Sequence, residues 1–94
     1  MKVKELLSGP EKWTKSVYAR NKDGVATQLG ADEAFSFCLR GAIFSCYDDA
    51  GRYWMQDKVC KALGLHYRAS VAEWNDAPER TFEDVRRLVE ELDI

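Results

Sequence analysis

The sequence has few of the residues from which recognisable active sites and metal sites are built. His66 is the only histidine, so a histidine-based zinc site would need cysteines or carboxylates at no recognisable spacing. No glycine-rich phosphate-binding motif occurs, and no serine or cysteine lies in a recognisable nucleophile turn. We therefore predict no catalytic residue, no metal and no cofactor, and we expect His66 to lie on the surface or in a loop.

Cysteine pairs with the spacing of a redox or metal motif are also absent. Cys38, Cys46 and Cys60 are odd in number and form no CxxC pattern. On a helix, Cys38 and Cys46 would lie about 12 Å apart along the axis, which is too far for a disulfide or a shared metal ion. All three are expected to be reduced and mostly buried.

Long apolar runs are missing as well. A helix that spans a bilayer needs about 20 apolar residues, and the first residues lack the apolar core of a signal peptide. These absences predict a cytoplasmic protein that does not associate with membranes. A length of 94 residues is typical of one domain, so residues 1–94 are expected to form a single domain.

The charge is unevenly distributed along the chain. Residues 1–30 carry a net charge of +3, residues 31–69 are neutral, and residues 70–94 carry −5. An acidic end repels a phosphate backbone, so the charge distribution disfavours nucleic acid as a partner, although the basic first third leaves that question open.

Residues 34–47 contain one charged side chain, Arg40, among apolar residues that would point in every direction from a helix. A helix that is apolar all round is a buried helix, so this segment is predicted to be the central helix of the domain. Gly41 in its interior costs roughly 1 kcal/mol relative to alanine, which indicates that another segment packs very close there. Arg40 needs a partner if it is buried, and the alternative is that its head group reaches water.

The other segments predict an α+β, mainly helical domain with an N-terminal β-hairpin packed on the buried central helix. Residues 13–20 and 25–29 have strand composition and flank a turn at residues 21–24 that contains Asp-Gly. Helices are predicted over residues 52–63, for a short turn from Ser70, and from Phe82 onward, where one apolar stripe is clear.

Trp74, Asn75 and Asp76 form the most distinctive polar stretch. As a ligand site, Asp76 and Arg40 would fix a polar group while Trp74 stacks on it. The simpler interpretation is that Trp74 belongs to the core, Asn75 caps a loop and Asp76 neutralises Arg40.

Tyr53 and Trp54 are adjacent at the start of a predicted helix. Only one of two neighbouring helical residues can face the core squarely, so the other is a candidate for an exposed aromatic at an interface. Tyr18 is a candidate for the same surface. A fully covered aromatic core is the alternative.

The motifs FCLRGA (residues 37–42) and Trp-Asn-Asp (residues 74–76), with a threonine at 81 and a valine at 85, resemble a family of small uncharacterised proteins of bacteria and their phages. The resemblance covers residues 13–85 and singles out Arg40, Gly41, Trp74, Asn75 and Asp76, without implying an activity.

Two functions from different classes follow. The leading hypothesis is a non-catalytic interaction protein that binds a protein partner, or a second copy of itself, through an aromatic surface containing Tyr18, Tyr53 and Trp54. The alternative is a binding protein for a small molecule or nucleotide derivative, or a weak hydrolase, with its site around Arg40, Trp74, Asn75 and Asp76.

Overall fold

Helices make up most of the regular structure in the computed structural model, which describes every residue from Met1 to Ile94. In chain order the elements are α1 (Val3–Leu6), a 3-10 turn (Pro10–Lys12), β1 (Ala19–Arg20), β2 (Ser36–Phe37), α2 (Leu39–Cys46), α3 (Asp49–Leu63), α4 (Ser70–Asp76) and α5 (Phe82–Leu92). The two strands form one antiparallel sheet. The predicted α+β, mainly helical class is confirmed.

Local sequence signals set the ends of the long helices. Thr81 and Asp84 form a reciprocal capping box at the start of α5, because each side chain accepts a hydrogen bond from the other residue's backbone N–H. Asp48 caps α3 by accepting the N–H of Gly51, so this helix begins three residues before the predicted position. Gly64 ends α3 with φ +70°, a left-handed conformation that favours glycine.

The central helix is shorter than predicted. It begins at Leu39, whereas residues 36–37 are extended and pair with β1. Cys38 lies between the two elements and caps α2 through its sulfur, which accepts the N–H of Gly41 at 3.3 Å. The prediction of a helix over residues 34–47 is therefore wrong in its first turn, where the backbone N–H and C=O groups form sheet hydrogen bonds instead of helical ones.

The predicted hairpin is only partly correct. Its turn forms, with the N–H of Asn21 bonded to the carbonyl of Val25 at 2.9 Å. Beyond the turn, however, Arg20 makes a single bridge to Ala26, and residues 25–29 form no strand. β1 instead pairs with β2 in the register Ala19 to Phe37, because both β2 residues are buried whereas Val25 remains exposed.

α2 occupies the centre of the fold, as predicted, and contacts α1, α3, α4 and β2. Its buried side chains Leu39, Ala42 and Ile43 belong to a core cluster of fourteen buried residues. The close approach predicted at Gly41 is confirmed: a Cβ there would lie 2.2 Å from the carbonyl oxygen of Tyr18. Glycine therefore allows the segment before β1 to pack directly on α2.

Candidate functional site

The outer side of α3 carries two neighbouring exposed aromatic residues. Tyr53 is 56% exposed and Trp54 is 73% exposed. The inner side of the helix is formed by Gln56, Val59 and Cys60, which are buried. The sequence allowed one of the two rings to face the core, but both are exposed, so the alternative of a fully covered aromatic core is wrong for this pair. A third exposed aromatic, Tyr67 at 73%, follows in the loop after α3.

Trp54 borders a shallow groove of about 400 Å³ that is otherwise lined by Asp57, Lys58 and Lys61. Lys58 is held in place because its ammonium donates to the backbone carbonyl of Leu92 at 2.9 Å, which connects α3 to the end of α5. The ring of Trp54 therefore lies among charged groups of the same helix, with a large part of its apolar area in water.

Tyr53 is covered on one side by Arg68, whose guanidinium carbon lies 4.7 Å from the ring centroid. The same guanidinium donates to both carboxylate oxygens of Asp57, at 2.8 and 3.0 Å. This hydrogen-bonded pair lowers the pKa of Asp57 and raises the pKa of Arg68. Nearby, the thiol of Cys60 donates to the backbone carbonyl of Tyr67 at 3.4 Å, so the loop is tied to α3. We call Tyr53 and Trp54 the aromatic face.

Tyr18 packs on the central helix α2. It is 43% exposed, and its ring packs on Phe44 of α2 with 5.6 Å between ring centroids. Phe44 also lies beneath the guanidinium groups of Arg40 and Arg52, each 5.4 Å from the ring centroid. Arg52 directly precedes Tyr53 in α3, so Phe44 connects Tyr18 to the helix that carries the aromatic face.

Arg40 and Asp76 do not pair. The Nε of Arg40 donates to the side-chain oxygen of Gln56 at 2.9 Å, and Arg40 is only partly buried. Asp76 accepts the backbone N–H of Ser16 and one amide hydrogen of Asn75, both at 2.9 Å. The expectation that Asp76 neutralises Arg40 is therefore wrong: Asp76 is bound to Ser16 and Asn75, and the one hydrogen bond of Arg40 goes to Gln56.

The Trp74, Asn75 and Asp76 side chains have separate partners. Arg80 stacks on the Trp74 ring at 4.0 Å and donates to the Trp74 carbonyl. Asn75 is wholly buried, accepting the indole N–H of Trp13 at 2.7 Å and the N–H of Leu39 at 3.1 Å. The four residues of the predicted ligand site, which include Arg40, are thus not arranged around one common contact.

Of those four residues, Asp76 alone lines the cavity beside α2. This cavity has a volume of about 250 Å³ and is bordered by Ser16, Val17, Tyr18, Cys38, Ala72 and Asp76. Ser16 has φ +76°, a left-handed conformation that is uncommon for a residue other than glycine. Burial, reinforced by the charge of Asp76, raises the pKa of the Cys38 thiol. The hydrogen bond from the Gly41 N–H acts in the opposite direction and lowers this pKa, but its effect is smaller than that of burial. The thiol is therefore protonated at neutral pH, which makes it a poor nucleophile.

Several residues that shape these sites were missed from the sequence. Gln56 is buried in α3, although only apolar residues were expected on the buried side of that helix. Its position at the same spacing as the core residues was the one signal in the sequence that could have identified it. Phe44 lies in the segment predicted as the buried central helix and Trp13 in a predicted strand, so neither was expected at these sites, and Ser16 carries no local signal for its conformation. Tyr67 gave no signal beyond its position in a loop.

The fold and its surfaces define a small, mainly helical α+β domain with exposed aromatic residues on one helix. A family of unknown function (DUF6197) matches residues 1–92, and the chain belongs to that family. No curated protein and no solved structure matches the chain. None of its helices combines the length and apolar character needed to cross a bilayer.

Proposed function

We propose that this protein is a non-catalytic interaction domain of the bacterial or phage cytosol that binds a partner protein through the aromatic face. The observation that carries this proposal is the pair of adjacent exposed aromatics on α3, Tyr53 and Trp54. A tryptophan contributes a large apolar area, and tryptophan, tyrosine and arginine are the residues most enriched among those that dominate binding energies.

The surroundings of the face support the same function. Arg68 and Asp57 hold Tyr53 from one side, so part of the surface is ordered before a partner arrives. Lys61 and Lys58 border Trp54, which provides the charged rim that typically surrounds an apolar contact. Burial is the main cause that raises the pKa of each of the three cysteine thiols. Because the thiolate is the nucleophilic form, this argues against a catalytic cysteine in the chain.

The test compares Tyr53→Ala and Trp54→Ala with the wild-type protein. Each tagged protein would be incubated with bacterial lysate, and the co-purifying protein would be identified and then titrated as a pure component. Loss of a dominant aromatic contact costs about 2 kcal/mol, so we expect the affinity to fall roughly 30-fold for Trp54→Ala. Sedimentation velocity on the same samples reports whether the partner is a second copy of this chain.

Val25→Ala is the matched control, because Val25 is 59% exposed in the loop after β1 and lies outside the face. All three variants should retain the wild-type melting temperature, since substitutions at exposed positions usually change stability by less than about 0.5 kcal/mol. If Tyr53→Ala and Trp54→Ala both match Val25→Ala in partner affinity and in sedimentation, the proposed surface is the wrong one.

A second candidate function is small-molecule binding in the cavity beside Cys38 and Asp76, favoured by its volume of about 250 Å³ and by the carboxylate on its wall. Native mass spectrometry of freshly purified protein would show a retained ligand as added mass. Asp76→Asn is a suitable variant, because an amide oxygen can accept the same two N–H groups while the charge is removed. Added mass that disappears in this variant would favour the cavity, and its absence from the wild type would exclude it.

A further inference from the structure

Arg40 has an unused hydrogen-bonding capacity that sets it apart from the other partly buried arginines. Its Nε bonds to Gln56, but its Nη1 and Nη2 groups make no hydrogen bond within the chain, and no carboxylate pairs with it. Four other partly buried arginines each have two or more oxygen acceptors: Arg20, Arg52, Arg80 and Arg86. A guanidinium provides five N–H donors, so most of those of Arg40 remain available.

The guanidinium of Arg40 is held in one orientation although it lacks an anion. Gln56 is buried, and its Nε2 donates to the backbone carbonyl of Arg52 at 3.1 Å, which directs its oxygen toward Arg40. The ring of Phe44 supports the guanidinium from another side at 5.4 Å. A binding group fixed in this way loses little conformational entropy when a ligand arrives.

Arg40 also lies close to the aromatic face. Gln56 follows Tyr53 by three residues in α3, a spacing at which two side chains of one helix lie close together, although Gln56 is buried and Tyr53 is exposed. Arg40 and Arg68 are both near enough to Cys60 that their charges oppose the rise in the pKa of its thiol caused by burial. Arg40 bonds to Gln56 and Arg68 stacks on Tyr53, so each cation contacts one of two residues that are three positions apart in α3.

The local charge is positive and partly uncompensated. Arg52 is paired with Asp49, and Arg68 is paired with Asp57. These two carboxylates are already used, so Arg40 is left with the excess charge. A protein partner that packs on Tyr53 would complete the surface by supplying an acidic side chain at Arg40, because a guanidinium binds a carboxylate through two parallel hydrogen bonds.

We propose that Arg40 recognises an aspartate or glutamate side chain of the protein that binds the aromatic face. This inference rests on the proposed function, because it assigns the chemistry of the partner at that same surface. The carboxylate is bound by Nη1 and Nη2 of Arg40, while Nε remains bonded to Gln56.

The experiment selects binding sequences from a phage-displayed library of random 12-residue peptides on the immobilised wild-type protein. The best peptide is then synthesised with its acidic residue intact and with glutamate changed to glutamine or aspartate to asparagine. Affinities for wild type and Arg40→Gln complete a double-mutant cycle. Removing the peptide carboxylate should weaken binding to the wild type roughly 10- to 100-fold and should change binding to Arg40→Gln less than about threefold.

Arg87→Gln is the matched control, because Arg87 is an exposed arginine of α5 that makes no hydrogen bond or ion pair within the chain. It should respond to the peptide change as the wild type does. Arg40→Lys keeps the charge but loses the planar pair of donors, so it should retain only part of the discrimination.

The outcomes separate the two proposals. If selected peptides lose binding in Tyr53→Ala but show no acidic preference, or respond equally in Arg40→Gln and wild type, the role of Arg40 is refuted and the aromatic face stands. If the library yields no binder, or if binding is insensitive to both Tyr53→Ala and Trp54→Ala, the proposed function fails and the role of Arg40 fails with it.

Discussion

Replacing Asn75 by alanine should remove a large part of the stability of this domain, because one buried amide joins three segments of the chain. Its oxygen accepts the indole N–H of Trp13 and the backbone N–H of Leu39, the first residue of α2. Its nitrogen donates to the carbonyl of Thr14 at 3.1 Å and to the carboxylate of Asp76 at 2.9 Å. Both lone pairs and both hydrogens of the amide are therefore used.

The magnitude follows from the groups left without a partner. Leu39 is wholly buried, so its N–H cannot reach water, and an unsatisfied buried donor costs about 1–3 kcal/mol. The Trp13 indole and the Thr14 carbonyl are partly buried, and we assign each about 1 kcal/mol at the lower end of that range. The expected loss is therefore about 4 kcal/mol, against a total of about 5–15 kcal/mol for a natural domain.

The assay is urea unfolding followed by tryptophan fluorescence, with the free energy of unfolding extrapolated to water. Asp76→Asn is the neighbouring control, and we expect it to lose less than about 1 kcal/mol, because its amide oxygen can replace the carboxylate oxygen as acceptor. A loss below about 1 kcal/mol for Asn75→Ala, at an unchanged denaturant slope, would refute the view that this amide connects the segments.

Two further predictions concern the packing and the ends of the chain. Gly41→Ala should destabilise the domain by about 2 kcal/mol in the same urea assay, because the new methyl group would clash with the carbonyl oxygen of Tyr18. This clash outweighs the gain of about 1 kcal/mol in helix propensity. An increase in stability would show that the two segments separate easily. Hydrogen bonds from Lys4 and Lys2 lower the pKa of Asp93 to about 2 from 3.8, so the stabilisation is present above about pH 4 and is lost as the pH falls through 2. Asp93→Asn should therefore lower the melting temperature at pH 7 and progressively less toward pH 2, whereas an equal loss at both pH values would contradict the ion pairing.

Features encoded within a few residues of each other could be predicted from the sequence. The apolar stripe and capping box of α5 are contained in one segment, and Gly64 ends α3 as its position predicts. Gly41 was informative for a different reason: a glycine in a helix is unfavourable unless it relieves a contact, so it indicated a close neighbour. Its neighbour, the carbonyl of Tyr18, could not be identified in this way.

Features that depend on pairing between distant residues could not be predicted. The turn at residues 21–24 forms as predicted, but β1 pairs with Ser36 and Phe37 rather than with residues 25–29. Both Ser36 and Phe37 are buried, and burial of a distant segment cannot be inferred from local strand propensity. The partner of Arg40 was sought among carboxylates, whereas a buried glutamine on the facing helix holds it. No spacing rule relates residues on two different helices, so the candidate site had to be assembled from the structure.

The residues of the Trp-Asn-Asp motif and those of the aromatic face differ in what the fold requires of them. The hydrogen bonds of Asn75 are all used inside the chain, and one carboxylate oxygen of Asp76 holds Ser16 and Asn75. A substitution at Asn75 therefore alters stability whatever the function, and loss of binding in such a variant says nothing about a site. Trp54 covers no core, so its removal leaves the stability of the fold nearly unchanged and acts only on what binds from outside. Arg40 lies between these cases, because one N–H serves the fold and the others remain free, which is why its role requires a double-mutant cycle rather than a single substitution.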